Sequence, residues 1–251
     1  MAPSSSGVRR HAFVDLGRIA GNAGALAATA GLPLSDLTAD LRADAYGHGL
    51  IPVARVLSDA GVGGLVLSRV EDAAALADAR IPGSTVGAGG GAAGAGRESH
   101  HETPRVLGAA LFGLDAAHPT ATALRLVGEV IAVKRVGADT GVSYGYTYRT
   151  THPTTLALVA LGFADGVPRV ATNRAPVRIG AYTGRVTGRI AMDQFVVDLD
   201  GATVTPGERA VLFGDAALGE PTALDWADST GIAASIITSR LGTRIERVYT
   251  A

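Results

Sequence analysis

The chain has 251 residues, of which 47% are hydrophobic and 18% charged, and a formal net charge of −1. This length and composition suit one large or two small globular domains and exclude a disordered chain. The near-neutral balance, without a basic block, excludes a charge-driven nucleic-acid or anionic-membrane partner, and the absence of cysteine excludes disulfides and sulfur-ligated metals.

No apolar run reaches the roughly 18–20 residues needed to span a bilayer. Met1 to Gly7 is small and polar, and the apolar stretch after Arg9 and Arg10 is cut short by Asp15. The expectation is a cytoplasmic protein with a disordered tip. His11 to Leu16 then reads as a strand, and Leu16 to Thr29 as an alanine-rich helix with apolar positions at helical spacing. Gly31 and Pro33 break it. Leu37 to Ala43 reads as a strand, Ile51 to Ala60 as a helix stopped by Gly61, and Val62 to Ser68 as a buried strand. Arg69 to Ala79 alternates acid and alanine as a helix, and Ser84 to Ala88 begins a further strand. This is the alternation of a parallel α/β unit.

From Gly87 to Gly96 the chain is nearly pure glycine and alanine, and Arg97 to Pro104 is polar. Such a stretch buries too little surface to offset its ordering entropy, so 87–104 reads as a flexible linker. From Thr122 onward, short strand-like runs at Leu126–Val133, Thr154–Leu161, Pro176–Ile179, Arg185–Ala191, Phe195–Asp198 and Arg209–Phe213 are separated by Gly, Pro and Asp. That spacing predicts a β-sandwich or barrel. Helices follow from Leu224 and over Ile232–Arg240, and Thr243–Tyr249 alternates as a last strand.

Five blocks carry a family resemblance. They are Leu41-Arg42-Ala43-Asp44-Ala45-Tyr46-Gly47-His48-Gly49, Val142–Gly145, Gly162–Arg169, Gly188–Phe195 and Arg244–Tyr249. In order, and in spacing from Tyr144 onward, they resemble the signatures of alanine racemases, in which Lys-Ala-Asp-Ala-Tyr-Gly-His-Gly carries pyridoxal phosphate (PLP) as a Schiff base. The resemblance implies an α/β plus all-β fold. About three β/α units of a (β/α)8 barrel (8–115) would precede a C-terminal β-domain (120–251). A whole barrel takes about 200–250 residues, so the middle, where the family keeps most of its cofactor cradle, is missing.

The one lysine of the chain is Lys134, and Arg42 stands where the family has its imine-forming lysine. A guanidinium stays protonated and cannot form an imine. The expectation is therefore a protein without PLP and without alanine racemisation, taking a small anionic substrate; the resemblance implies a homodimer. By resemblance, Tyr144 is the acid/base, with Arg42 and His48 as further catalytic candidates; Tyr46, Met192, Asp193 and Tyr249 are substrate-binding candidates. Three readings stay open: a PLP-independent enzyme moving protons by isomerisation, epimerisation, elimination or cyclisation; a non-catalytic binding protein; and residual racemisation with PLP held without an imine or by Lys134. Phe163 stands where the family motif has tyrosine, and Asp165 reads as a turn residue. His100, His101 and Glu102 are too few and too poorly spaced to hold a metal.

Overall fold

The computed structural model describes residues 9–82, 84–86 and 105–251. The N-terminal tip, the glycine–alanine stretch and the His100–Glu102 cluster lie outside them. The chain divides into two compact units, one holding Leu124–Val248 with the chain up to Phe13, the other Val14–Ala123 with Tyr249–Ala251. Among the described residues no helix is long and apolar enough to cross a membrane.

The strand β1 (Arg10–Asp15) leads directly into α1 (Leu16–Ala30). Asp15 caps α1 by accepting from the Arg18 amide, and Gly31 ends it in the left-handed conformation at φ 65°. Next come β2 (Thr38–Asp40), the single turn α2 (Arg42–Tyr46) and α3 (Leu50–Asp59). Then follow β3 (Gly64–Val66), α4 (Val70–Asp78), β4 (Ser84–Val86) and β5 (Val106–Leu107). These strands form a parallel sheet ordered β4-β3-β2-β5. β5 lies beside β2, on the side away from β3. Asn22 of α1 ties the following segment down: its amide donates to the carbonyls of Leu111 (3.0 Å) and Ala121 (2.8 Å) and accepts from the Ala121 amide (3.0 Å).

The strand expected over Leu37–Ala43 stops at Asp40, and the helix expected from Ile51 begins at Leu50. Between them the backbone turns left-handed. Ala43, Asp44, Ala45 and Tyr46 have φ of 54°, 58°, 53° and 55°. Each such residue costs about 1–2 kcal/mol, since Cβ crowds the following carbonyl. The turn is held by Ala43 N–H donating to Ser68 Oγ (3.1 Å) and Leu50 N–H donating to Asp44 Oδ1 (2.7 Å).

The β unit contains β6 (Leu124–Val136), β7 (Gly141–Val142), β8 (Tyr148–Arg149) and β9 (Thr154–Val159). It continues with β10 (Pro176–Ile179), β11 (Tyr182–Thr187), β12 (Phe195–Asp198) and β13 (Arg209–Phe213). The helices α5 (Ala223–Thr230) and α6 (Ala234–Ser239) precede β14 (Glu246–Thr250). Of sandwich and barrel, the structure takes the barrel. The order β13-β10-β11-β12-β9-β6 closes because β13 also pairs with β6. The long β6 makes this possible: Leu126–Glu129 pairs with β13, and beyond Val130 it pairs with β9, with a bulge between Val130 and Ala132. Trp226 of α5 is fully buried, edge-on to Phe213 at 6.0 Å, with its indole donating to the Pro176 carbonyl at 2.9 Å.

Two expectations are corrected here. The strand read over His11–Leu16 does not open the parallel sheet; β1 lies between β6 and β14 in the β sheet. The run read over Arg185–Ala191 ends at Thr187, because Gly188 at φ 74° turns the chain away.

Candidate functional site

In the parallel unit the Arg42 segment lies at the carboxyl end of β2, where parallel sheets build their sites. Asp40, the last residue of β2, is 3% exposed. Its carboxylate accepts from the Arg42 backbone amide (3.1 Å), Arg42 Nε (2.9 Å), Arg42 Nη2 (2.6 Å) and the Tyr46 hydroxyl (2.9 Å). Burial opposes its ionisation, but these hydrogen bonds outweigh it and hold the carboxyl below its usual range. The side-chain bond to Asp40 likewise raises Arg42. Burial, with the Asp40 charge, pushes the Tyr46 phenol up to about 12. Neither side chain takes up a proton near neutral pH.

His48 lies fully buried against Phe112, ring centroids 4.4 Å apart, with Nδ1 3.0 Å from the Ala45 carbonyl and 3.1 Å from that of Tyr46. Both partners are acceptors, so Nδ1 carries the proton. That geometry ties His48 to the left-handed turn. Tyr249 belongs to the same unit, its hydroxyl lying over Gly49, and it borders a cavity of about 500 Å³ with Leu16, Ile51, Pro52 and Val56.

The other four blocks, apart from Tyr249, lie in the β unit. Tyr144 is 70% exposed and borders a recess of about 290 Å³ with Ser143, Leu158, Ala191, Gln194 and Phe195. Ser143 Oγ donates to the Arg189 carbonyl at 2.6 Å, joining the Tyr144 block to the Gly188–Phe195 block. The amides of Phe163 and Ala164 donate to the carbonyls of Ala191 (3.1 Å) and Met192 (2.9 Å), joining the next pair. Arg244 completes the set with Nη2 2.7 Å from Asp193 and Nε 3.3 Å from Asp165. Asp193 is thus held by Arg244, while Met192 beside it is 56% exposed. Phe163 lies under the guanidinium of Arg169. Lys134 is an exposed residue of β6.

Asp165 does more than the turn expected of it. It is wholly buried, accepts from the Gly162 amide (2.9 Å), and faces Arg10 (3.6 Å) as well as Arg244. Sequence reading also passed over Asp40. The signal was present: a carboxylate in an apolar strand needs a cation, and the nearest one in sequence is Arg42. Among the described residues no cluster of three acidic or histidine side chains is placed to hold a metal.

Comparison with known proteins decides the family. The sequence model described as "Alanine racemase, C-terminal domain" matches residues 123–249, and "Alanine racemase, N-terminal domain" matches 14–103. The chain belongs to the alanine racemase family. It is 52% identical over 128 residues to the alanine racemase of Thermobifida fusca, which covers 51% of this chain and 34% of that protein. Against the alanine racemase of Streptomyces coelicolor it is 48% identical over 147 residues, covering 59% of this chain and 36% of that protein. The chain therefore spans about a third of the length of these curated relatives. Its structure superposes on alanine racemase from D-cycloserine-producing Streptomyces lavendulae with a TM-score of 0.87 at 28% identity, over 98% of each chain. The fold is that of the family, a barrel-like N-terminal part and a C-terminal β-domain, in a chain shorter than its full-length relatives.

Proposed function

We propose that this chain is an alanine-racemase-family protein that has left imine chemistry and binds a small anionic molecule without PLP. The observation that carries the reading is the hydrogen bonding of Arg42, whose Nε and Nη2 both donate to Asp40. An imine needs a neutral amine with a free lone pair, and a guanidinium supplies none. The residues present do not fit a covalently anchored PLP. The exposed part of Arg42 favours an anion as ligand, since its side chain is 57% accessible at the end of the parallel sheet.

A second reading, proton transfer on a small molecule, is favoured by Tyr144. Its ring borders a recess in the β unit, and the guanidinium of Arg189 lies against the neighbouring Gly145. A phenol hydroxyl at a recess of this kind can pass a proton to or from a bound molecule. Isomerisation, epimerisation, elimination or cyclisation are the reactions such a group serves. We also propose a homodimer: Tyr144, Tyr146 and Met192 are 70%, 62% and 56% exposed on the β unit, and a second copy would cover them.

The test treats freshly purified protein, with no PLP added, with borohydride, weighs the intact chain and assays alanine racemisation. The expected result is no imine absorbance band, no mass increment and no alanine racemisation. A borohydride-fixed PLP adduct refutes the proposal. Loss of a measured turnover in a folded Tyr144→Phe variant would select the second reading.

A further inference from the structure

Arg42 alone does not account for the chemistry of this station. Asp40 is buried at the floor of the segment and takes four hydrogen bonds, three from Arg42 and one from Tyr46. Arg42 opens the turn that follows β2, and its own backbone amide donates to Asp40 at 3.1 Å, so a long cationic side chain at 42 starts within reach of that carboxylate. A buried carboxylate left unpaired is costly, so it draws and keeps a positive charge.

We propose that Asp40 is a second lock against imine formation here, a residue that holds whatever cation stands at position 42 in its protonated form. The inference rests on the reading that imine chemistry is absent and goes one step past it. Replacing Arg42 by lysine would not restore a nucleophile, because the introduced ammonium would take over the hydrogen bonds to Asp40. Attack on an aldehyde needs the neutral amine: nitrogen forms the C–N bond, and the carbonyl oxygen leaves as water with the two amine protons. An ammonium held on Asp40 offers no lone pair to begin that step. Access is not the obstacle, since the Arg42 side chain is more than half exposed.

The chain supplies its own reference. Lys134 is the only native lysine and is exposed on β6. The Arg42→Lys variant therefore has two lysine amines in one molecule. Both are exposed to formaldehyde with cyanoborohydride, the hydride donor that reduces the imine to a methylamine, and methylation at each position is followed by peptide mass spectrometry at mildly alkaline pH. We expect position 42 to react at least about tenfold more slowly than Lys134, because the adjoining carboxylate favours the protonated amine. In Asp40→Asn with Arg42→Lys, the rates should come within about threefold, because the charge that held the ammonium is gone. Equal rates in Arg42→Lys, or an unchanged ratio on adding Asp40→Asn, overturn the proposal. Tyr46→Phe in the Arg42→Lys background keeps the carboxylate and removes one competing donor; its ratio must stay as low or fall, and a rise also overturns the proposal. None of these outcomes depends on whether the native chain binds PLP.

Discussion

Replacing Asp165 by alanine tests the idea that one buried carboxylate holds the Gly162 turn, β1 and the Arg244 segment of the β unit together. In the native chain this carboxylate accepts from the Gly162 amide at 2.9 Å and faces Arg10 and Arg244 at 3.6 and 3.3 Å. Loss of a hydrogen bond to a charged acceptor costs about 1.5–3 kcal/mol. Removing one partner of a buried ion pair costs about 3–5 kcal/mol when the other charge is stranded. Only part of that applies here. Arg244 is 41% exposed and keeps Asp193 at 2.7 Å, whereas Arg10, 19% exposed, loses the only acidic partner it has among the described residues. The net expectation is a destabilisation of about 2–4 kcal/mol. Urea unfolding followed by tryptophan fluorescence reads this directly, because Trp226 is the only tryptophan and is buried in the β unit. The slope of the transition should be unchanged, with only the midpoint moving. A loss below about 1 kcal/mol would place the Gly162 turn and the arginines outside the control of Asp165 and refute the reasoning.

Gly162→Ala should destabilise the same unit by about 1–3 kcal/mol, the usual cost of overpacking, because a Cβ there would overlap the Met192 carbonyl oxygen; the same unfolding assay checks it, and a neutral result would show that the two loops part freely. Spectrophotometric titration of the six tyrosines should leave a late fraction. Burial pushes Tyr46 and Tyr148 up to about 12, with hydrogen bonds to Asp40 and Asp198 reinforcing it. Both folded values lie above the ordinary value of about 10, so their contribution to stability is full below pH about 10 and is lost as pH rises toward about 12. The Tyr46→Phe variant should remove one late-titrating group, and a wild-type curve with a single step near 10 would contradict the burial of both.

Local pattern settled a good deal. Helical spacing with a glycine stop placed α1, and the Gly- and Pro-punctuated runs placed β10, β12 and β13 at the residues where they are found. These elements are legible because burial of one face imposes its period on the sequence. The chemistry of position 42 was legible too, since no environment turns a guanidinium into an amine.

Pairing partners were not legible. Whether β1 joined the parallel sheet or the antiparallel one depended on hydrogen bonds between Arg9 and Glu129, 120 residues apart. The choice of barrel over sandwich depended on a bulge in β6 that lets one strand pair on both sides of the closure. The left-handed run at Ala43–Tyr46 has no compositional mark, because none of its residues is glycine; the surrounding hydrogen bonds impose it against local preference. Asp40 and Asp165 were visible as letters, but their weight came from burial, which raises the cost of an unpaired charge and so fixes which arginine each must hold. Sequence thus determined which groups this protein has to work with; the tertiary structure decided which are already held by one another, because desolvation acts only once the chain has closed around them.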